Sequence, residues 1–241
     1  MNTVRWNLAV SPEVDQSVRR FLAAQGGRGE GDLSRLIEEA VRSYLFERAT
    51  EQARQAIWDA AGSYDRVPKI YLHWSAGHYG QFFEDYHVNI DADGSIYVST
   101  DDLSEVKNHA WKRNTGAIGV ALAGCAGAGS QSLGDEPPTA AQIEAMSQVV
   151  CALADGLWLT ISKECVLTHG EAANNEDGET GYHNPYAWWN DSYGDGDTRG
   201  DLEYLGTDES PSYNPDATDG SRGGDIIRGK ANWYRQQEDN K

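Results

Sequence analysis

The sequence has no long apolar run, few cysteines and little positive charge, and each of these shortages excludes a class of protein. No stretch approaches the ~18 consecutive apolar residues of a membrane-spanning helix, so we expect no insertion into a membrane. The first residues lack the basic and apolar segments of a secretory signal, which predicts synthesis in the cytoplasm without a signal peptide. The three cysteines, Cys125, Cys151 and Cys165, cannot all pair within one chain, and none lies in a Cys-x-x-Cys motif. A fold organised by disulfides is therefore excluded.

Positive charge is scarce and unevenly distributed along the 241 residues. The chain holds 20 Lys and Arg against 38 Asp and Glu, a net charge of −18. Residues 1–60 contain 8 basic and 9 acidic residues, whereas residues 61–241 contain 12 basic and 29 acidic residues. Because a strongly negative surface repels phosphates, residues 61–241 are excluded as a nucleic-acid-binding region. The contrast in charge indicates two modules.

The N-terminal module combines one short strand pattern with two helix patterns. Apolar and polar residues alternate over residues 4–10, which predicts a strand. Ser11 and Pro12 supply an N-cap and a first helical residue, and the glycine pair at 26–27 ends that helix. Asp32 caps a second helix, whose apolar residues recur at helical spacing. A lone strand cannot bury its apolar face, so this module requires a partner.

This order of elements resembles the ribbon-helix-helix family over residues 3–46. In that family two chains pair their strands and intertwine their helices, so the resemblance implies a homodimer formed through residues 1–48. The outward strand residues of the family enter the DNA major groove, and Thr3, Arg5 and Asn7 occupy those positions here. Arg and Asn side chains can read base edges. The module carries almost no net charge, however, which favours dimerisation and makes DNA binding the less favoured alternative.

Strands and helices are mixed after residue 66, which predicts an α/β domain with a mixed central β-sheet flanked by helices. Residues 49–66 are predicted to form a helical linker between this domain and the first module. The domain comprises residues 67–241 and includes a long loop at 171–225, which is rich in Gly, Asp and aromatic residues. Its predicted elements are a buried strand at 69–75, a hairpin at 86–99, a small-residue strand at 116–124, a helix at 139–157 and a strand at 165–169.

Two histidines lie at the ends of predicted buried strands. His73 ends the first strand of the domain and His169 ends the last, although 96 residues separate them. Because the ends of neighbouring strands converge, these imidazoles can share a metal ion. Imidazole suits zinc, and a catalytic zinc site has three protein ligands and one open position. A third ligand must then come from the loop after His169.

Four blocks of residues occur in the order typical of one enzyme family. They lie at residues 70–76, 86–97, 108–120 and 167–171. With these blocks, residues 68–205 are similar to the zinc N-acetylmuramoyl-L-alanine amidases, a family that includes phage lysozyme-type amidases and peptidoglycan-recognition proteins. The resemblance implies zinc-dependent hydrolysis of the amide bond between N-acetylmuramic acid and L-alanine. It also implies one Zn²⁺ per chain and a peptidoglycan or muropeptide substrate.

The resemblance implies a set of metal ligands, position by position. The two histidine ligands of the family fall on His73 and His169. The third ligand is an Asp or Cys two residues after a basic residue, and it falls best on Asp201. The interval between His169 and Asp201 is longer than in many members of the family. His183 and Asp197 therefore stay open as alternatives for the third ligand.

The resemblance also implies catalytic residues. Arg199, the basic residue before Asp201, would stabilise the oxyanion, because arginine does not readily give up a proton. Tyr86 would orient the attacking water or hydrogen-bond the scissile group, and His109 would contact substrate or take part in proton transfer; a scaffold role is the alternative for both. Some relatives carry a glutamate base where this chain has Ala121. Glu171 is expected either to support a ligand imidazole or to be a solvated acid.

Two other functions stay open beside the amidase. One is a protein that binds muropeptide without cleaving it, and the other is a DNA-binding regulator that uses the ribbon-helix-helix module. For the amidase, we expect the site of action to be the cell wall or periplasm, reached by release from the cell or by specialised secretion.

Overall fold

The chain is described here by a computed structural model that covers residues 8–24, 30–110, 112–129, 132–178 and 201–239. It divides into two compact units, Met1–Arg48 and Ala49–Lys241. Within the described residues, no helix is both long enough and apolar enough to cross a membrane.

The first unit contains helix α1 (Pro12–Ala24) and the beginning of helix α2 (Glu30–Gly62). Helix α1 begins as predicted, because the Ser11 hydroxyl accepts a hydrogen bond from the backbone N–H of Val14 at 3.4 Å. Of the predicted strand at 4–10, residues 8–10 are described and form no strand. Arg5 and Asn7 lie outside the described residues. A strand needs a neighbouring strand for its backbone hydrogen bonds, and residues 8–10 pair with none among the described residues.

The first unit leaves many large apolar side chains exposed to solvent. Helix α1 contributes Val14 and Phe21, which are 49% and 51% exposed. Such a stripe on an amphipathic helix is normally buried against another element. The exposed apolar residues of this unit are Leu8, Val10, Val14, Phe21, Leu33, Tyr44 and Leu45.

The second unit is built on a five-stranded mixed sheet, which confirms the predicted fold class. The strands are β1 (Lys69–Trp74), β2 (Val88–Ile90), β3 (Ile96–Val98), β4 (Ala117–Leu122) and β5 (Val166–Thr168). Their order across the sheet is β3-β2-β4-β1-β5. Only the β2–β3 hairpin is antiparallel, and β2, β4, β1 and β5 run parallel. The carboxyl ends of β1 and β5 therefore meet at one edge of the sheet.

Helices cover this sheet and complete its core. They are α3 (Ala140–Leu157), the short α4 (His169–Ala173) and α5 (Gly223–Asp239), and α3 packs against α5. Strands β1 and β4 are buried along their whole length, as is typical of parallel strands covered on both faces. Thr139 and Gln142 form a reciprocal capping box that fixes the start of α3.

The segment predicted as a linker, residues 49–66, is helical to Gly62 and contributes to the second unit. Its side chains Thr50, Ile57 and Ala61 are almost completely buried. A Cβ at Gly116 would lie 2.6 Å from Ala61, so the helix approaches the sheet closely at that glycine. The segment is therefore part of the packed core of this unit.

Helices occupy both ends of the loop predicted at residues 171–225. Residues 171–173 belong to α4, and α5 begins at Gly223. The capping box of Thr168 and Glu171 starts a helix at the N-terminal end of the predicted loop.

Candidate metal centre

Two parallel strands bring the candidate histidine ligands together. His73 lies in β1, and His169 follows directly after β5 as the first residue of α4. Strands β1 and β5 pair in register, with Leu72 opposite Thr168, so the residues that follow these two are neighbours. The pairing places the imidazoles side by side, with ring centroids 4.5 Å apart.

Asp201 completes a group of three candidate ligands. The Nδ1 atoms of His73 and His169 are 3.0 Å apart. Oδ2 of Asp201 lies 2.7 Å from Nδ1 of His169 and 3.5 Å from Nδ1 of His73. All three side chains are buried, and their ligand atoms lie within 4.8 Å of one another. The structure thus brings together the three residues that the resemblance assigns to zinc.

Burial sets the protonation of the two histidines in this group. Burial and the neighbouring His169 lower the pKa of His73 to about 4. Burial also holds the pKa of His169 well below its ordinary value. For Asp201, burial raises the pKa to about 6, although the hydrogen bond to His73 opposes this shift. Both imidazoles are therefore neutral at pH 7, which is the state that coordinates metal ions.

The donor set fits a zinc ion. Two imidazole nitrogens and one carboxylate oxygen are typical zinc ligands, and bonds of about 2.0–2.1 Å in tetrahedral geometry separate neighbouring ligand atoms by about 3.3 Å. The separations among His73, His169 and Asp201 are 3.0, 2.7 and 3.5 Å, which are close to that value. These three residues could hold one zinc ion after small adjustments.

His109 contacts the ring nitrogen of His73 that does not face His169 and Asp201. Its Nδ1 atom lies 3.2 Å from Nε2 of His73, and the side chain is almost fully buried. The Nε2 atom of His109 is buried without a hydrogen-bond partner in the part of the chain that the structure describes. Gly119 in β4 makes room for this ring, because a Cβ there would lie 2.6 Å from Cγ of His109. The imidazole of His109 is thus held against the Nε2 atom of His73.

Tyr86 and His87 border the same group. The ring of Tyr86 lies against that of His73, with centroids 5.1 Å apart. Nδ1 of His87 accepts a hydrogen bond from the backbone N–H of Gly119 at 3.0 Å, and its Nε2 lies 2.8 Å from the carbonyl oxygen of Glu105. These two bonds fix the tautomer of His87 with its proton on Nε2.

Several predicted site residues lie outside the described residues. They are Arg199, the predicted oxyanion residue, and the two alternative third ligands, His183 and Asp197.

The structure excludes the solvated environment predicted for Glu171 and shows which groups its carboxylate contacts. Its side chain is completely buried, so it is not a solvated acid. Among the described residues its carboxylate receives hydrogen bonds from Arg228 and from the backbone N–H of Thr168, rather than from an imidazole. The reason is the reciprocal capping box, which directs the Glu171 carboxylate back toward the start of α4.

Three charged residues near the centre were not predicted from the sequence: Glu203, Arg222 and Arg228. Arg222 pairs with Glu203, and Arg228 pairs with Glu171, all with buried side chains. One signal was available in the sequence, because Glu171 and Glu203 each follow a candidate ligand by two residues. The arginines carry no local signal, since Arg228 is 57 residues from its partner.

Two protein-family models match the chain, one in each part. A family model described as N-acetylmuramoyl-L-alanine amidase matches residues 48–182. This range contains His73, Tyr86, His109 and His169, and it ends before Asp201. A second model, described as a ribbon-helix-helix domain, matches residues 1–65. Comparison with curated proteins gave no match.

Solved structures similar to this chain include two bacterial or phage enzymes and one insect protein. The Ph2119 endolysin from Thermus scotoductus MAT2119 bacteriophage Ph2119 is 18% identical, with a TM-score of 0.35 over 44% of this chain and 73% of that chain. The N-acetylmuramoyl-L-alanine amidase LysC from Clostridium intestinale URNW is 21% identical, with a TM-score of 0.33 over 45% of this chain and 74% of that chain. Drosophila PGRP-LB is 18% identical, with a TM-score of 0.33 over 44% of this chain and 71% of that chain.

Proposed function

Because the chain belongs to the N-acetylmuramoyl-L-alanine amidase family, we propose that it hydrolyses the amide bond between N-acetylmuramic acid and L-alanine in peptidoglycan. We further propose that one Zn²⁺ per chain is held by His73, His169 and Asp201. The observation that carries this proposal is the convergence of two neutral imidazoles and one carboxylate at the ends of β1 and β5. The complete donor set favours an enzyme over a protein that binds muropeptide without cleaving it.

Zinc at this centre would supply Lewis acidity, which polarises a carbonyl group and makes water nucleophilic near neutral pH. His109 would hold His73 in the tautomer that such a site requires. If Nδ1 of His73 binds the metal, the ring proton lies on Nε2 and is donated to Nδ1 of His109 at 3.2 Å. Since Nε2 of His109 is buried, the proposed role of His109 is to orient His73 rather than to contact substrate.

Hydrolysis adds the oxygen of water to the lactyl carbonyl carbon and breaks its bond to the nitrogen of L-alanine. The carboxylic acid stays on the sugar, and the nitrogen leaves with a proton as a free amine. Negative charge develops on the carbonyl oxygen in the transition state, and a positioned cation stabilises it. Arg199 is proposed for this role from the family resemblance, and Tyr86, beside His73, is proposed to hydrogen-bond the water or the scissile group.

The chemical products distinguish this activity from cleavage of the glycan. Incubation of purified peptidoglycan with the zinc-loaded chain is expected to release free α-amino groups of L-alanine without new reducing sugar ends. We expect His73→Ala and Asp201→Ala to lower the rate of release by at least about a thousandfold, because each change removes a metal ligand. His78→Ala is the matched control, since His78 is an exposed histidine paired with Glu136. New reducing ends, or intact peptidoglycan after incubation, would contradict the proposal.

The first unit is proposed to hold two chains together as a homodimer through residues 1–48. The match to the ribbon-helix-helix family model and the exposed apolar side chains of α1 support this proposal. DNA binding by Arg5 and Asn7 is not favoured, because the chain as a whole is strongly acidic.

The proposed substrate also defines the proposed site of action. Intact peptidoglycan is found in the cell wall, so the enzyme would act there or in the periplasm after release or specialised secretion.

A further inference from the structure

Two of the three candidate ligands are each followed, two residues later, by a buried glutamate. Glu171 follows His169, and Glu203 follows Asp201. Their side chains are 0% and 1% exposed. A buried carboxylate requires a charged or hydrogen-bonding partner, and both of these glutamates find one at the start of α5.

Arg228 in α5 holds the segment that carries His169. Its Nη1 and Nη2 atoms donate to the two carboxylate oxygens of Glu171 at 2.7 and 2.8 Å, a bidentate pair. Nη1 also donates to the carbonyl oxygen of Val166 in β5 at 2.9 Å. Glu171 in turn accepts the backbone N–H of Thr168 at 2.9 Å. Arg228 thus fixes the junction of β5 and α4, where His169 lies.

Arg222, directly before α5, holds the segment that carries Asp201. Its Nε and Nη2 atoms donate to Oε2 of Glu203 at 3.0 and 2.7 Å, and Nη2 also lies 3.0 Å from Oε1. The hydroxyl of Thr168 donates to Glu203 at 3.3 Å. The two ligand-bearing segments are therefore joined to one another as well as to the start of α5.

Two glycines let α5 approach both segments closely. A Cβ at Gly223 would lie 2.0 Å from the carbonyl oxygen of Leu202, the residue after Asp201. A Cβ at Gly224 would lie 2.9 Å from Nη1 of Arg228 and from Oε2 of Glu171. By contrast, a Cβ at Gly229 in the same helix would meet nothing within 4 Å. Gly223 and Gly224 thus face the two ligand-bearing segments, whereas Gly229 is exposed.

We propose that the start of α5, through Arg222, Gly223, Gly224 and Arg228, positions His169 and Asp201 for metal binding. This inference rests on one part of the proposed function, namely that a zinc ion binds to His169 and Asp201. Outer partners of metal ligands typically change metal affinity by about 10–100-fold when they are altered. The paired arginines would act through the backbone that carries each ligand, and not by touching metal or substrate.

A pair of glycine variants tests this role in the full-length chain. Zinc affinity is measured by competition with a chromophoric chelator, beginning from metal-free protein. Gly224→Ala is expected to weaken zinc binding by about tenfold, because the added methyl group displaces the pair of Arg228 and Glu171. Gly229→Ala is the matched control and is expected to bind zinc within about twofold of the unchanged chain, since its methyl group meets no neighbour.

A pair of arginine variants tests the same role without added volume. Arg228→Lys keeps the charge and removes the bidentate geometry, and we expect about tenfold weaker zinc binding. Arg235→Lys is its control on the same helix, because Arg235 pairs with Asp155 and donates to the carbonyl oxygen of Leu159. Thermal unfolding of the metal-free variants separates the two effects, since a purely structural role would lower stability and leave the zinc affinity of the folded chain unchanged.

The possible results separate this inference from the proposed function. Gly224→Ala and Arg228→Lys chains that fold and bind zinc as tightly as the unchanged chain would overturn the positioning role. If Gly224→Ala does not fold, the result for Arg228→Lys decides. Unchanged protein that binds zinc but leaves peptidoglycan intact would overturn the amidase and not the positioning role. A chain that binds no zinc would overturn the metal centre itself, and with it both proposals.

Discussion

His87 shows how a buried imidazole couples the stability of the second unit to pH. Burial lowers its pKa from 6.5 to about 4, with the neighbouring carbonyl of Glu105 acting in the opposite direction. The unfolded chain therefore takes up a proton as the pH falls below 6.5, while the folded chain resists protonation until about pH 4. The stability that His87 contributes is fully present above pH 6.5 and is lost as the pH falls toward 4.

We expect His87→Gln to reduce the acid sensitivity of the metal-free chain. Between pH 7 and pH 4.5, the unchanged protein should lose about 2 kcal/mol more unfolding free energy than the variant, at 1.36 kcal/mol per unit of pKa shift. Urea unfolding at the two pH values measures the difference. Each protein is compared with itself at the two pH values. The loss of the His87 hydrogen bonds lowers the stability of the variant at both pH values and therefore cancels. Equal pH dependence in the two proteins would show that His87 is not held neutral by burial.

Individual site residues differ in how far the sequence could predict them. His73 and His169 were predictable because buried strand patterns end at both positions, and parallel strands bring their ends together. Asp201 was assigned from the family resemblance, since the long interval before it has no regular pattern. The burial of Glu171 was not predictable, because its partner Arg228 is brought to it only by the packing of α5.

Helices α1 and α2 of the first unit expose large apolar side chains to solvent. Val14 and Phe21 lie on the same face of α1, at helical spacing, and both are about half exposed. Each of these side chains contributes about 1.5–3 kcal/mol when it is transferred from water into a core. In the proposed homodimer, a second copy of the chain would bury this face.

We expect Phe21→Asp to convert the proposed homodimer to a monomer, because the change places a charge in the proposed apolar interface. Gln16→Asp is the matched control, since it adds the same charge at an exposed position on the opposite face of α1. Sedimentation equilibrium on the full chain measures the mass. A monomeric unchanged chain, or a Phe21→Asp chain that stays dimeric, would contradict dimerisation through the first unit.

The elements of the second unit were largely predictable, but their arrangement was not. Periodicity and turn residues indicated all the strands and the long helix α3, whose capping box begins at Thr139. The order β3-β2-β4-β1-β5 depends on crossovers between distant segments, which no local pattern specifies. Residues 8–10 of the strand predicted at residues 4–10 form no strand, because they have no neighbouring strand among the described residues.

At the scale of the whole molecule, the candidate centre depends on residues that are far apart in the sequence. The amidase family model ends at residue 182, whereas Asp201, Glu203 and the whole of α5 follow later. The C-terminal part of the chain therefore supplies the candidate ligand Asp201. It also supplies the arginines that pair with Glu171 and Glu203, the glutamates that follow His169 and Asp201. The scarcity of positive charge over residues 61–241 is consistent with a substrate other than nucleic acid.

We propose that one zinc ion, bound by His73, His169 and Asp201, supports hydrolysis of the amide bond in peptidoglycan. The most direct test is mass spectrometry of purified peptidoglycan after incubation with the metal-free chain, with and without one equivalent of zinc. We predict that stem peptides with a free L-alanine amino group are released only in the presence of zinc, and that a chelator abolishes their release. Glycan and peptide that stay joined when one zinc per chain has been verified would contradict the proposed amidase activity.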